Sequence, residues 1–107
     1  MNWTVEFYDE DVRDDLETLP KDMIAHFIRI SELIADKGLD QVREPYVKHL
    51  EGPLWKMRLK GRDGIARAAY VTRHARRVVV VHVFRKKVQK TPRRDIELAL
   101  KRARTIL

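Results

Sequence analysis

Residues 54–84 constrain the fold more than any other feature of the sequence, because they contain three strand-like segments separated by two short turns. The first segment alternates apolar with basic residues, which is the two-residue period of a half-buried strand. Its apolar members are Trp55, Met57 and Leu59, and its basic members are Lys56, Arg58 and Lys60. Residues 65–72 and 78–84 form the next two segments. Because such short connections join antiparallel neighbours, we predict a three-stranded antiparallel meander.

The residues before this meander predict one strand and two helices. Residues 3–8 alternate as a strand does, and either Asp9 or Asp11 can cap a short helix that Pro20 ends. The following helix has a continuous apolar stripe and is expected to stop at Gly38. Its stripe consists of Met23, Phe27, Ile30 and Ile34. Residues 39–53 show no clear period and contain two prolines and a glycine, so they predict a connecting loop that can include one irregular turn.

The residues after the meander predict a basic loop and a final helix. Residues 85–90 are mostly Lys and Arg, and Thr91 followed by Pro92 is typical of an N-cap and a first helical position. The complete order is β-α-α-β-β-β-α in a single α+β domain spanning residues 1–107. We expect the helices to cover the sheet face that carries Met57, with Trp3 and Trp55 as core anchors and the basic residues on the opposite face.

Composition excludes several classes of protein. The 107 residues contain no cysteine, so a disulfide scaffold, a Cys-ligated metal centre and thiol catalysis are ruled out. The longest wholly apolar run is residues 78–81, which is far too short to span a bilayer. The acidic N-terminal region is the reverse of a secretory signal. We therefore expect a soluble, cytoplasmic protein.

Charge is divided unevenly along the chain, whose net charge is +7. Residues 1–53 hold six Lys and Arg against thirteen Asp and Glu, a net charge of −7. Residues 54–107 hold seventeen Lys and Arg against three Asp and Glu, a net charge of +14. Such polarisation within a small protein indicates a basic face for a polyanion. The alternative is that these Lys and Arg are simply solvated.

The basic residues of the meander suggest a groove for single-stranded RNA. Lys56, Arg58 and Lys60 would lie roughly 6.5–7 Å apart on one strand, close to the spacing of successive phosphates. Arg67 is the most informative residue, because it lies between Ala66 and Ala68 in an apolar strand where a solvated charge is unexpected. An alternative explanation for Arg67 is an ion pair with Asp63 or Glu51. Phe84 could stack on a base.

The sequence resembles the RelE/HigB toxin superfamily, and most closely its phage-derived branch. The resemblance is carried by the patterns LW-x-x-R from Leu54, R-x-x-Y from Arg67 and F-x-KK-x-x-K-T-P from Phe84, and it extends over nearly the whole chain. It implies a small sheet with packed helices. It also implies the toxin of a type II toxin–antitoxin pair, which cleaves mRNA at the ribosome and is neutralised by a protein antitoxin.

The resemblance and the residue pattern together select the candidate site. The candidate catalytic residues are Lys56, Arg58, Arg67 and Lys86. The candidate RNA-binding residues are Lys60, Phe84, Arg85, Lys87 and Lys90. The RNA 2′-hydroxyl is itself the nucleophile, so no metal ion and no cofactor are expected. The arginines suit phosphate binding, and a lysine whose pKa is lowered by neighbouring arginines suits proton transfer.

One acid–base residue that the resemblance leads us to expect is missing from this sequence. Some members carry a Tyr or His near the C-terminus as the acid–base group, whereas here no Tyr or His follows His82. For His82 itself we favour a hydrogen-bonded structural role within its valine-rich strand. Two alternatives to an endoribonuclease therefore stay open, namely a non-catalytic RNA-binding module and a domain that binds only an acidic partner.

Overall fold

The computed structural model describes residues 2–86 and 90–107. Within these residues, five strands form one sheet and three α-helices pack on it. The strands are β1 (Thr4–Phe7), β2 (Val47–Glu51), β3 (Leu54–Gly61), β4 (Gly64–Arg73) and β5 (Arg77–Lys86). The helices are α1 (Glu10–Glu17), α2 (Lys21–Lys37) and α3 (Arg93–Arg104). The α+β class predicted from the sequence is confirmed.

The sheet has the strand order β1-β5-β4-β3-β2. Strands β3, β4 and β5 are antiparallel neighbours, which confirms the predicted meander, and β1 joins the edge of β5 in parallel. The apolar residues of β5 are buried because it lies between two strands and has packed residues on both faces. The meander thus forms the interior of the sheet and fixes the register of the basic residues.

Residues 39–53 are not the loop that their composition predicts. They form a short 3₁₀ turn, Leu39–Gln41, and then β2, which pairs with β3 and makes a fifth strand. Five residues are too few for an alternation of apolar and polar residues to indicate a strand. The hydrogen bonds that stabilise β2 come from β3, which the local sequence does not show. Gly52, with φ +54°, makes the tight connection between the two strands.

Helices α1 and α2 cover one face of the sheet. Asp9 is the N-cap of α1, with its carboxylate accepting a hydrogen bond from the Val12 N–H at 2.9 Å, and Gly38, with φ +89°, ends α2. The buried stripe of α2 packs with Met57 and Leu59 in one hydrophobic core, which we call the first core. These contacts confirm the predicted amphipathic helix and the core phase of β3.

Helix α3 lies on the opposite face, contrary to the expectation that all helices share one face. Its buried residues Ala99 and Ala103 form a second core with Leu54 and the valines of β5. An amphipathic sequence defines which stripe of a helix is buried but does not define which face of a sheet receives it. The basic residues of β3 are therefore partly covered by the region around α3.

Two smaller predictions about this region are wrong. Pro92, rather than Thr91, is the N-cap residue of α3, and no side chain caps the helix. Trp55 is 40% exposed instead of anchoring the core, because it lies next to the edge strand β2, where its ring meets that of His49 edge-on with centroids 5.2 Å apart. Trp3 does pack against the first core. Among the described residues, no helix is long and apolar enough to cross a membrane.

The turn between β3 and β4 is fastened to the start of α2. The Lys60 N–H donates to His26 Nδ1 at 2.8 Å, and the Arg62 N–H donates to Asp22 Oδ2 at 2.6 Å. Gly61 allows this close approach, because an added Cβ would lie 2.7 Å from side-chain atoms of Asp22 and Met23. The end of β3 that carries Lys60 is thereby held in place.

This arrangement predicts a loss of stability at mildly acidic pH. Burial, and secondarily the charge of Lys60, lower the pKa of His26 below its usual 6.5 in the folded state. The unfolded chain therefore binds more protons than the folded one, so stability present above pH 6.5 is lost as the pH falls through the folded-state pKa. The variant His26→Phe should show a smaller difference in free energy of unfolding between pH 7 and pH 5.5, measured by urea titration. An unchanged difference would contradict this origin.

Candidate functional site

Four of the basic residues predicted to act together lie on the sheet face that α3 covers only in part. Alternation along β3 directs Lys56, Arg58 and Lys60 to this face. On β4, Arg67 lies directly opposite Arg58 in the antiparallel register. Directly opposed residues share a face and lie roughly 4.5–5.5 Å apart at Cα or Cβ, so the two arginines are immediate neighbours.

Arg67 is buried without an ion-pair partner among the described residues. It is 3% exposed, and its Nε and Nη1 atoms, like Nε of Arg58, have no hydrogen-bond acceptor in the described part of the chain. Burial, and then the charge of Arg58, lower the pKa of Arg67. The guanidinium stays protonated because arginine titrates far above neutral pH. Buried N–H donors without acceptors are costly, so this pair is suited to receive an anion.

The alternative explanation for Arg67 as a structural ion pair finds no support. Glu51 pairs instead with Arg93, with Nη1–Oε1 and Nη2–Oε2 distances of 2.6 and 3.0 Å. This pair is exposed, and it lowers the pKa of the Glu51 carboxyl. No carboxylate from residues 2–86 or 90–107, including that of Asp63, lies within salt-bridge distance of Arg67.

Lys56 is more enclosed than its place on a basic strand suggested. It is 6% exposed, and its Nζ donates to Thr91 Oγ1 at 3.3 Å. The hydroxyl expected to cap α3 is thus engaged by a lysine from β3. Lys56 is thereby fixed beside Arg58, and the segment leading into α3 forms one wall of the site.

The remaining candidates fall into two groups. Lys60 is exposed at the end of β3, Phe84 lies directly opposite Arg67 on β5, and Lys90 is exposed just before Thr91, so these three border the site. Arg85 falls on the other face by alternation, and its Nη2 lies 3.5 Å from the Asp63 carbonyl. The backbone of Lys86 pairs with Ile65 at the end of β5, and Lys87 lies outside the described residues.

His82 is part of a buried pair that the sequence did not reveal. Its Nε2 lies 2.7 Å from Asp95 Oδ1 on α3, and its ring stacks on Phe84 with centroids 5.0 Å apart. The preferred prediction of a hydrogen-bonded structural role is consistent with this geometry. The partner could not be named in advance, because it lies on an element whose placement on this face was not predicted.

Lys48 is a further basic residue that sequence reasoning missed. It lies on β2, directly opposite Lys56, and belongs to the same sheet face. The sequence signal for this strand is weak, because residues 47–51 do not alternate strictly and only Gly52 marks the turn that follows. Within residues 2–86 and 90–107, no group of three or more His, Cys, Asp or Glu side chains is placed to hold a metal ion.

The fold of the described residues is similar to that of several solved toxins. RelE in the archaeal RelE–RelB complex from Pyrococcus horikoshii is 20% identical with a TM-score of 0.63, covering 81% of this chain and 98% of that chain. An E. coli RelE double mutant in the free state is 17% identical with a TM-score of 0.62, and both chains are fully covered. The YoeB–YefM complex from Staphylococcus aureus gives 11% identity and a TM-score of 0.57, covering 80% and 99% of the two chains.

The fold is therefore of the RelE-like class. Within that class, the chain belongs to the family described as Phage derived protein Gp49-like (DUF891), whose sequence profile matches residues 14–104. This match confirms the phage-derived RelE-like relationship expected from the sequence. No curated protein sequence matches the chain.

Proposed function

We propose that this protein is the toxin of a type II toxin–antitoxin pair and that it cleaves mRNA on the ribosome without a metal ion. The observation that carries this proposal is the juxtaposition of Arg58 and Arg67, two arginines with buried N–H groups that lack acceptors among the described residues. Like charges directly opposite each other destabilise a sheet. A bound phosphate would satisfy the donors and offset the repulsion.

The chemistry follows from what RNA itself supplies. The 2′-oxygen attacks the adjacent phosphorus, the bond from phosphorus to the 5′-oxygen breaks, and the products are a 2′,3′-cyclic phosphate and a 5′-hydroxyl. Arg58 and Arg67 stabilise the charge that develops on the phosphate oxygens. Lys56 and Lys86 are the candidates for proton transfer: one of them, as the neutral amine, accepts the proton of the 2′-hydroxyl, and the other, as the ammonium, supplies a proton to the leaving 5′-oxygen. Lys60, Phe84, Lys87 and Lys90 contact the flanking RNA, whereas Arg85, which falls on the other face of the sheet, is not assigned a contact.

The partners follow from the same proposal. RelE and YoeB were each solved in complex with a second protein, RelB or YefM. By analogy, we propose that a cognate protein antitoxin binds this chain in the cytoplasm and that the 107 residues act as one toxin domain. Its substrate partners are the ribosome and translated mRNA.

Mapping mRNA ends after brief induction tests the proposal. Expression of the wild-type chain in bacteria without an antitoxin should arrest growth within minutes and create new 5′-hydroxyl ends inside translated regions. Preincubation with a ribosome-blocking antibiotic should suppress those ends if cleavage occurs during translation. Normal growth with intact mRNAs, despite soluble folded protein, would contradict the proposal.

A non-catalytic RNA-binding module is the second candidate, and one observation favours it. No Tyr or His follows His82, so the chain lacks the late acid–base residue that some RelE/HigB toxins carry. Such a module would bind single-stranded RNA and leave it intact. Its affinity would fall with salt at a log–log slope of about −0.7 per contacted phosphate.

A further inference from the structure

Two pairs of like charges lie side by side on the site face. Lys48 on β2 is directly opposite Lys56 on β3, and Arg58 on β3 is directly opposite Arg67 on β4. Lys56 and Arg58 are two residues apart on β3, so these two central members of the pairs lie roughly 6.5–7 Å apart along the strand. Directly opposed like charges are unfavourable in an isolated sheet. The distance between Lys56 and Arg58 is close to that between successive phosphates of one RNA strand, so each pair can face one phosphate.

A cavity of about 750 Å³ opens beside the first pair. It lies between strands β2 and β3 and the segment that leads into α3. Its walls include the polar side chains of Lys48, Lys56, Lys90 and Thr91 and the apolar side chains of Leu50 and Ile96. The volume is within the range of ligand-binding clefts, about 300–1,000 Å³.

The charge of this cavity favours an anion. Its one carboxylate, Glu51, is held by both terminal nitrogens of Arg93 and is thus neutralised locally. Lys48 and Lys90 are exposed, whereas Lys56 is buried and donates to Thr91. Leu50 and Ile96 supply an apolar wall against which the flat face of a base or a ribose can pack.

We propose that this cavity is a second nucleotide subsite, which binds the nucleotide next to the cleaved linkage. Its phosphate lies between Lys48 and Lys56, and its base and ribose contact Leu50 and Ile96. The inference rests on the proposed function in that single-stranded RNA is the ligand, and it adds Lys48 as a binding residue. Lys48 does not take part in the chemical step.

Short RNAs that cannot be cleaved provide the test. Oligoadenylates with 2′-O-methyl groups have no nucleophile, and those of two and three nucleotides carry one and two internal phosphates. We expect the wild-type protein to bind the trinucleotide about tenfold more tightly than the dinucleotide in an NMR titration, since a second charged contact is made. In Lys48→Ala, this preference should fall to about twofold or less, with dinucleotide affinity unchanged.

Matched variants separate the subsite from general charge effects. Lys48→Arg should keep the preference, and Lys37→Ala, which removes an exposed lysine at the far end of α2, should also keep it. Lys48→Ala should also unfold at the same or a slightly higher temperature than wild type in low-salt buffer, because a like-charge pair is removed. A tenfold preference that survives in Lys48→Ala, or its absence in the wild type, would overturn the subsite.

The two proposals fail in different ways. Growth arrest and mRNA cleavage together with no effect of Lys48→Ala on the preference would overturn the subsite alone. A Lys48-dependent preference in a protein that neither arrests growth nor cuts mRNA would support the subsite in a non-catalytic binding module. If the wild-type protein binds neither the dinucleotide nor the trinucleotide, both the subsite and RNA as the ligand are contradicted.

Discussion

Replacing Arg67 with alanine should abolish growth arrest and lower the rate of mRNA cleavage by roughly 10²–10³-fold, the usual cost of losing one donor to a developing oxyanion. Arg67 is 3% exposed, faces Arg58 across β3 and β4, and has Nε and Nη1 donors without acceptors among the described residues. No other arginine among the described residues is buried, so none can replace Arg67 in this role. The measurement is the yield of new mRNA ends after brief induction of matched amounts of protein.

Arg67→Lys should also be inactive, because an ammonium group cannot reproduce the planar, two-pronged contact of a guanidinium with phosphate. The control is Arg29→Ala, which removes an exposed arginine of α2 from the other face of the sheet and should leave growth arrest unchanged. Full toxicity of Arg67→Ala would exclude Arg67 from the chemical step.

Loss of activity in these variants should not come from unfolding. Replacing a buried charge beside another like charge with an apolar side chain of similar length is often neutral or stabilising. Arg67→Met should therefore raise the free energy of unfolding by about 1–2 kcal/mol while it abolishes activity. Thermal and urea unfolding measure this directly. A variant that is both inactive and strongly destabilised would point to a structural role for the arginine.

The meander and helix α2 could be predicted because their signals are local. Alternation of basic and apolar residues along β3 defines its two faces, and the stripe of α2 repeats with the helical period. Arg67 could be singled out for the same reason, since a charged residue between two alanines of an apolar strand needs a partner. In the structure the described residues supply no acceptor for its Nε and Nη1 atoms, and we propose that a phosphate of bound RNA does so.

Elements stabilised by distant residues could not be predicted in the same way. Strand β2 obtains its hydrogen bonds from β3, so the five residues that contain Lys48 carry little signal of their own. The Thr91 hydroxyl has a capping pattern in the sequence but is engaged by Lys56, 35 residues earlier. The side of the sheet that α3 covers depends on such contacts. The cavity beside Lys48 depends on strand β2, on the contact between Lys56 and Thr91 and on the position of α3. It could therefore not be predicted from the sequence.

Replacing Asp95 with alanine should have the largest effect on stability among the polar contacts of α3, with a loss of about 2–3 kcal/mol. Ala99 and Ala103 are the fully buried residues of α3, and Ile96 and Leu100 are only partly buried against the same core, so the apolar contacts of this helix are modest. The pair between His82 Nε2 and Asp95 Oδ1 is short, at 2.7 Å, and its side chains are only 11% and 16% exposed. Removal of the carboxylate leaves a buried imidazole nitrogen without a partner.

The same replacement should weaken the site as well as the fold, because Thr91 and Lys90 precede α3 directly and line the cavity with Lys56. Glu97→Ala is the matched control. It removes an exposed carboxylate from the same helix, whose 3.4 Å contact with Arg93 is open to solvent and should contribute little to stability. A double-mutant cycle with His82→Leu should give a coupling energy of at least about 1 kcal/mol, measured by urea unfolding. Additive effects of the two replacements would show that α3 is held on the sheet by its small apolar stripe and not by this pair.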